Sequence, residues 1–310
     1  MKAVRFASYG GPEVLVQEEV PLPDPGPGEV LLRVHAAGVN PIDWKVRAGH
    51  LKESLRSQLP LIPGWDVSGV VEKVGIGMVG VTEGEEVYGM MNFSRDGAYA
   101  EYAVAAAEDL APKPSSLDHV HAAAVPLAAL TAWQGLFDVA DLRPGQSVLI
   151  HGAAGGVGHF AVQFAKWKGA WVIGTSSSRN INVVGELGAD ELIDYEKAAF
   201  DEVLSDVDVV LDTQGGEIQR RSWPVIRTGG TLVSTVSLSV SNSAAERGVR
   251  GELMLVRPDA NELAQIAALI DSGDVRPLVS NIIPLAEAAR AQQLSQTGHV
   301  RGKIVLRVRE

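Results

Sequence analysis

Hydrophobic and polar residues in the first hundred positions alternate with the short period of β-strands. The stretches KAVRFA, VLVQEE and EVLLRVHAAG each read as a strand. PLPDPGPG, which separates the last two, bars regular pairing because its prolines lack the N–H that a ladder needs. VSGVVEKVG, EEVYGM and AYAEYAVA continue the pattern, and short strands at regular intervals predict a twisted antiparallel sheet or partial barrel. From about Ser116 the spacing becomes helical through LDHVHAAAVPLAALTAWQGLFDVA, and LRPGQ ends that run. Strands and helices then alternate. SVLIHG, AWVIGT, ELID, DVVLDT, GTLVST and RGELMLV are the candidate strands, and their rhythm predicts a doubly wound parallel sheet. The chain closes on a helical stretch, LAEAARAQQLSQ, and a strand, GKIVLRV. No helix follows that strand, so it is expected to return to the sheet of the first domain.

Composition narrows the class. A chain of 310 residues, 46% hydrophobic and 21% charged, suits two globular domains with sizeable cores. The net charge of −11 and the lack of a basic run argue against nucleic acid or an anionic membrane as partner. No apolar run approaches the roughly 18 residues of a membrane helix, and MKAVRFASYGGPEV lacks a secretory leader's apolar core. There are no cysteines, which removes disulfides, thiol nucleophiles and thiolate zinc sites together. A cytoplasmic protein is the expectation.

One stretch carries chemistry on its own. HGAAGGVG follows an apolar strand and opens a helix, the context in which a glycine pattern signals a dinucleotide site. Gly152, Ala154, Gly155, Gly156, Val157 and Gly158 form a variant of the common G-x-G-x-x-G fingerprint. Small residues there let the backbone approach a pyrophosphate, whose charge meets the N–H groups of the helix start. Gly158 lets the helix pack closely on the strand. The plain alternative is a glycine-rich turn without a ligand. After the second strand, where an acid would favour NAD, the chain has Ser176, Ser177, Ser178 and Arg179. Hydroxyls and a guanidinium suit the 2′-phosphate of NADP(H), and Tyr195 in ELIDYEK is expected near the same corner. A polar loop and helix cap in an NAD enzyme is the competing reading.

Further motifs span most of the chain: GGPEVL, PGEVLLRVHAAGVNPIDW, PLIPGWDVSGVVEKVG, GEEVYGM, GAYAEY, LTAW and GHVRGKIVLRV. With the glycine turn, they resemble the zinc-independent medium-chain dehydrogenase/reductases of the quinone oxidoreductase branch. The resemblance implies an α/β fold with a GroES-like β-rich catalytic domain over 1–117 and 275–310. It also implies a Rossmann NADP-binding domain over 118–274, an active cleft between the two, and a homodimer. Zinc-dependent relatives carry a cysteine where this chain has Asn40 and a histidine where it has Trp65. No metal is therefore expected. Asp66 is expected to make a structural hydrogen bond or ion pair.

Without a Lewis acid, the expected direction is reduction of an electrophilic acceptor by NADPH. A quinone or an α,β-unsaturated carbonyl fits, with donors stabilising the oxygen that becomes anionic. The candidates lie in GVNPIDWKVRAGH. Asn40 is a neutral donor, Asp43 orients the nicotinamide ribose or Lys45, Lys45 stabilises an oxyanion, and Trp44 stacks a flat ring. The bland alternatives are an exposed helix cation for Lys45 and core packing for Trp44. Some relatives carry tyrosines in this stretch, which this chain lacks. By the resemblance, Thr131 lies near the nicotinamide amide, and Arg301 and Lys303 approach the cofactor. Two alternatives share these motifs: an enoyl or alkenal reductase of a biosynthetic pathway, and an NADPH-binding sensor or structural protein with negligible turnover.

Overall fold

The computed structural model describes residues 1–309 apart from 56–57, 78–79 and 240–241. The chain forms two units, Met1–Leu130 with Arg257–Glu310, and Thr131–Val256. These limits differ from the expected 117/118 and 274/275 boundaries, because polar contacts tie the flanking segments to the first unit. Both oxygens of Asp271 accept from the N–H and hydroxyl groups of Ser115 and Ser116. The Tyr88 hydroxyl donates to the carbonyl of Leu263 at 2.6 Å, so the helix Ala260–Asp271 belongs with the strands.

The first unit is built around the long strand Glu29–Val39. Its inner residues Val30, Leu32 and Val34 are fully buried, whereas Arg33 and His35 are only half-buried, the period-two signature that the sequence showed. Glu29–Val39 pairs antiparallel with Asp66–Val74, Tyr102–Ala106 and Lys303–Arg307. The last strand therefore does return to the first unit's sheet. It also pairs in parallel with Val279–Pro284, a strand absent from the expected set. That segment is mostly exposed or half-buried, with Ser280, Ile282 and Pro284 on its outer side, so its pattern alone gives no strand signal. Trp65, Tyr99, Phe6 and Met91 fill the core beneath the sheet.

The long helical run also breaks. Asp118 caps a short helix, His119–Ala123, accepting from the N–H of His121 at 2.8 Å. Pro126 starts a second helix, Pro126–Trp133, because proline disfavours helical backbone at the preceding residue.

The second unit has six parallel strands in the spatial order Glu191–Asp194, Trp171–Ser176, Ser147–Ile150, Val207–Asp212, Ile226–Ser234 and Arg250–Leu253. Every candidate strand of this region is present. The order reverses between Ser147–Ile150 and Val207–Asp212, and in such sheets ligands bind at the carboxyl ends of the strands beside that switch. Among the described residues no helix is long and apolar enough to cross a membrane.

Candidate active site

In the first unit, Asn40 ends the long strand and caps the helix Pro41–Arg47, whose first position holds the proline that suits it. Its side chain is buried among charged groups. Nδ2 donates to Asp66 Oδ2 at 2.8 Å, and Oδ1 accepts from the Lys303 ammonium. Lys303 Nζ also lies 3.4 Å from Asp66 Oδ2, and the Leu127 N–H donates to Asp66 Oδ1 at 2.7 Å. Every partner of Asp66 is a donor, so the network is complete only with an ionised carboxylate. Burial pushes the Asp66 carboxyl up, and the Lys303 charge opposes that shift. Asp66 thus makes the hydrogen bonds and ion pair expected of it.

Asp43 is equally buried but differently held. Its Oδ2 accepts from the Asn40 N–H at 2.8 Å and the Tyr99 hydroxyl at 2.9 Å, while Oδ1 is buried without a partner among the described residues. Burial pushes this carboxyl up to about 7. Burial and the neighbouring Asp43 charge raise the Tyr99 hydroxyl far above its ordinary range. Asp43 was expected to orient Lys45 or a ribose; among the described residues its polar contacts go to Asn40 and Tyr99, and none goes to Lys45. Lys45 lies with Nζ 5.8 Å from the Trp44 ring centroid and has no carboxylate within ion-pair distance among the described residues. Trp44 is half-buried, with His50 edge-on at 5.8 Å.

The glycine turn lies at the carboxyl end of the second unit's central strand. Gly152 adopts φ +64°, where a side chain is strained. The turn closes through the Gly155 N–H on the Gly152 carbonyl at 2.8 Å, and the Ala153 N–H bonds the Thr175 carbonyl at 3.0 Å. A Cβ at Gly158 would collide with the Gly152 carbonyl oxygen and the Ala153 backbone, so only glycine lets the helix Gly158–Trp167 begin there. The N–H groups of Ala154, Gly156 and Val157 have no hydrogen-bond partner among the described residues. His151, overlooked as a site residue, fastens the turn from behind. Its ring bonds Ser222 Oγ at 2.8 Å and Thr175 Oγ1 at 3.3 Å, and burial pushes its pKa down to about 4, so the imidazole is neutral. Its position directly before Gly152 was the only sequence clue.

At the serine corner, Ser176 and Ser177 are buried and Arg179 is exposed. Asp194 pairs in register with Ser176 and takes the Ser178 hydroxyl at 2.5 Å; Lys197 in turn pairs with Asp194 at 2.7 Å. Those two contacts, Lys197 foremost, hold the Asp194 carboxyl below its ordinary range. A carboxylate thus reaches this corner from the neighbouring strand, although the tip of the second strand has none. Tyr195 follows it, half-exposed, with its N–H on the Ser176 carbonyl at 3.1 Å. Thr131 is buried, Arg301 is exposed, and Lys303 is turned inward onto Asn40 and Asp66 rather than standing beside Arg301.

The residues at the family's zinc position do not fit that metal. Trp65 is packed in the core with its indole N–H on the Arg95 carbonyl at 3.1 Å, and the Asn40–Asp66 oxygens already hold an ammonium. With no cysteine in the chain, no thiolate is available.

A GroES-like sheet unit together with a Rossmann unit defines a two-domain dehydrogenase/reductase. The profile described as the alcohol dehydrogenase GroES-like domain matches residues 26–115, and that described as zinc-binding dehydrogenase matches 187–306. The chain is 34% identical over 317 residues to the NADPH-dependent alkenal/one oxidoreductase of Arabidopsis thaliana chloroplasts, covering 99% of this chain and 79% of the relative. It is 35% identical over 318 residues to the 2-methylene-furan-3-one reductase of Solanum lycopersicum, with the same coverage. The solved quinone oxidoreductase of Coxiella burnetii superposes with a TM-score of 0.91 at 36% identity, covering 100% of this chain and 99% of that one. The chain belongs to the medium-chain dehydrogenase/reductase superfamily, in the quinone oxidoreductase branch.

Proposed function

We propose that this protein is a reductase that uses NADPH, without a metal, to reduce a quinone or an α,β-unsaturated carbonyl. The observation that carries the reading is the glycine turn, whose Ala154, Gly156 and Val157 amides are unpartnered among the described residues, at the carboxyl end of the central strand. The similarity to an alkenal/one oxidoreductase and a quinone oxidoreductase supports the acceptor class. Bound NADPH supplies the hydride. The turn, with Gly152, Gly155 and Gly158 fixing its path, holds the pyrophosphate. Ser176, Ser177, Arg179 and Tyr195 receive the 2′-phosphate, while Asp194 is charge-compensated by Lys197. Thr131 and Arg301 are assigned to the cofactor by resemblance.

On the acceptor side, Lys45 is a half-buried cation without a carboxylate partner among the described residues, which suits it to the oxygen that gains negative charge during reduction. Trp44 offers a ring face to a flat acceptor. Asn40 and Asp43 build the start of the helix that carries both. We further assign the protein to the cytoplasm, as its lack of cysteine suits a reducing compartment, and as a homodimer. The exposed outer strand Arg250–Leu253, with Leu253 and the nearby Leu255 open to solvent, favours pairing between copies.

The cofactor choice is tested by Arg179→Ala. Loss of a charge-assisted hydrogen bond to the phosphate should weaken NADPH binding by about 1–3 kcal/mol and leave NADH nearly unchanged. Equal weakening of both, measured by fluorescence titration, would remove Arg179 from phosphate recognition.

A further inference from the structure

We infer that Lys303 is a positioning residue of the acceptor site, fixing Asn40 and Asp66 at the base of the helix that carries Trp44 and Lys45. This rests on the reductase reading above. Lys303 begins the last strand and is 3% exposed, and its N–H is held by the Leu278 carbonyl at 2.8 Å. A Cβ at the preceding Gly302, which has φ +59°, would strike the backbone of Leu278, so the chain enters the strand along one path. From there the ammonium reaches Asn40 Oδ1 and Asp66 Oδ2. It settles the amide orientation of Asn40, because an ammonium only donates: oxygen faces Lys303 and nitrogen faces Asp66.

The charge has a second consequence. Reduction of a quinone or enone builds negative charge on the acceptor oxygen. A buried Asp66 anion without its cation would oppose that charge through a poorly screening interior. Lys303 cancels it, leaving the Lys45 cation, unpaired among the described residues, to set the local potential. Asp43, the other buried carboxyl against this network, accepts only from a neutral N–H and a hydroxyl and contributes no fixed cation partner.

The test compares Lys303→Met, Lys303→Arg and the double variant Asp66→Asn/Lys303→Met. Lys303→Met should lower kcat by ~10-fold or more with a quinone acceptor while NADPH affinity stays within ~2-fold. The double variant, neutral on both sides, should recover much of the lost kcat, which a purely structural contact would not predict. Loss of NADPH affinity with kcat unchanged, or a double variant no better than the single one, would overturn the inference. Carboxyl-labelled NMR gives a readout independent of turnover. The Asp66 signal should titrate at higher pH in Lys303→Met than in the wild type and in Lys303→Arg, because the ammonium opposes the upward push of burial. An Asp66 titration unmoved by Lys303→Met would also overturn it. Absence of wild-type turnover with every acceptor would instead defeat the reductase reading and leave the NMR test standing. If Lys303→Met does not fold, the double variant and Lys303→Arg carry the comparison.

Discussion

Around Asn40 the polar atoms come from side chains at positions 40, 43, 66, 99 and 303, all buried and bonded largely to one another. Around Gly152 they are backbone amides from one continuous stretch, and several have no partner among the described residues. Apart from Asp43 Oδ1, the first region is satisfied internally, and it is sensitive to charge. The second is unsatisfied and sensitive to volume, as expected of a surface that receives an anion. A binding site and a scaffold for a site can thus be told apart by where their hydrogen-bond capacity goes.

Substitutions can break or sharpen this contrast. The largest effect is expected for Asp66→Ala, which leaves Lys303 buried without its anion. Stability should fall by about 3–5 kcal/mol, read by chemical denaturation. A loss below ~1 kcal/mol, the range of exposed pairs, would show that water reaches the network. Gly158→Val comes next. Its side chain would meet the Gly152 carbonyl and the Ala153 backbone, so stability should fall by about 1–3 kcal/mol and NADPH binding should be lost. Retained NADPH affinity would show that the turn's path is not what holds the cofactor.

The smallest effect concerns Asp43. Its carboxyl, at about 7 in the folded protein and 3.8 ordinarily, is neutral more readily when folded. Its stabilising contribution is present below about pH 4 and is lost as pH rises through 7. Asn in its place still accepts from the Asn40 N–H and Tyr99, so Asp43→Asn should change stability by under ~1 kcal/mol at acidic pH and remove this alkaline loss. His35 and His151 act in the opposite direction. Each titrates near 4 when folded against 6.5 ordinarily, chiefly through burial. The unfolded chain therefore binds more protons in that window, and stability falls as pH drops through it. Denaturation curves across pH should separate the two slopes, and an unchanged alkaline slope in Asp43→Asn would remove Asp43 from this account.

How much of this the chain announces depends on locality. The parallel strands and the glycine turn were legible because strand, turn and helix follow one another within HGAAGGVG and its flanks. The return of GKIVLRV to the first sheet was legible because no helix follows it. Val279–Pro284 was not, since an edge strand with polar residues gains its identity from its partner. The break at Pro126 was visible in the letters but hidden inside an alanine-rich run. Asn40 and Lys303 were both singled out, but for separate duties. Their bond spans 263 positions, and no spacing rule connects them. Asp194 was passed over because an acid was sought at the tip of one strand, while the carboxylate comes from the strand beside it.

The central claim is metal-free reduction by NADPH, and its most direct test is the rate of NADPH oxidation with phenanthrenequinone and with an alkenal after exhaustive chelation. The account predicts turnover that chelation leaves unchanged and that is faster with NADPH than with NADH. Tight NADPH binding without oxidation by any acceptor, or activity abolished by chelation and restored by zinc, would contradict it.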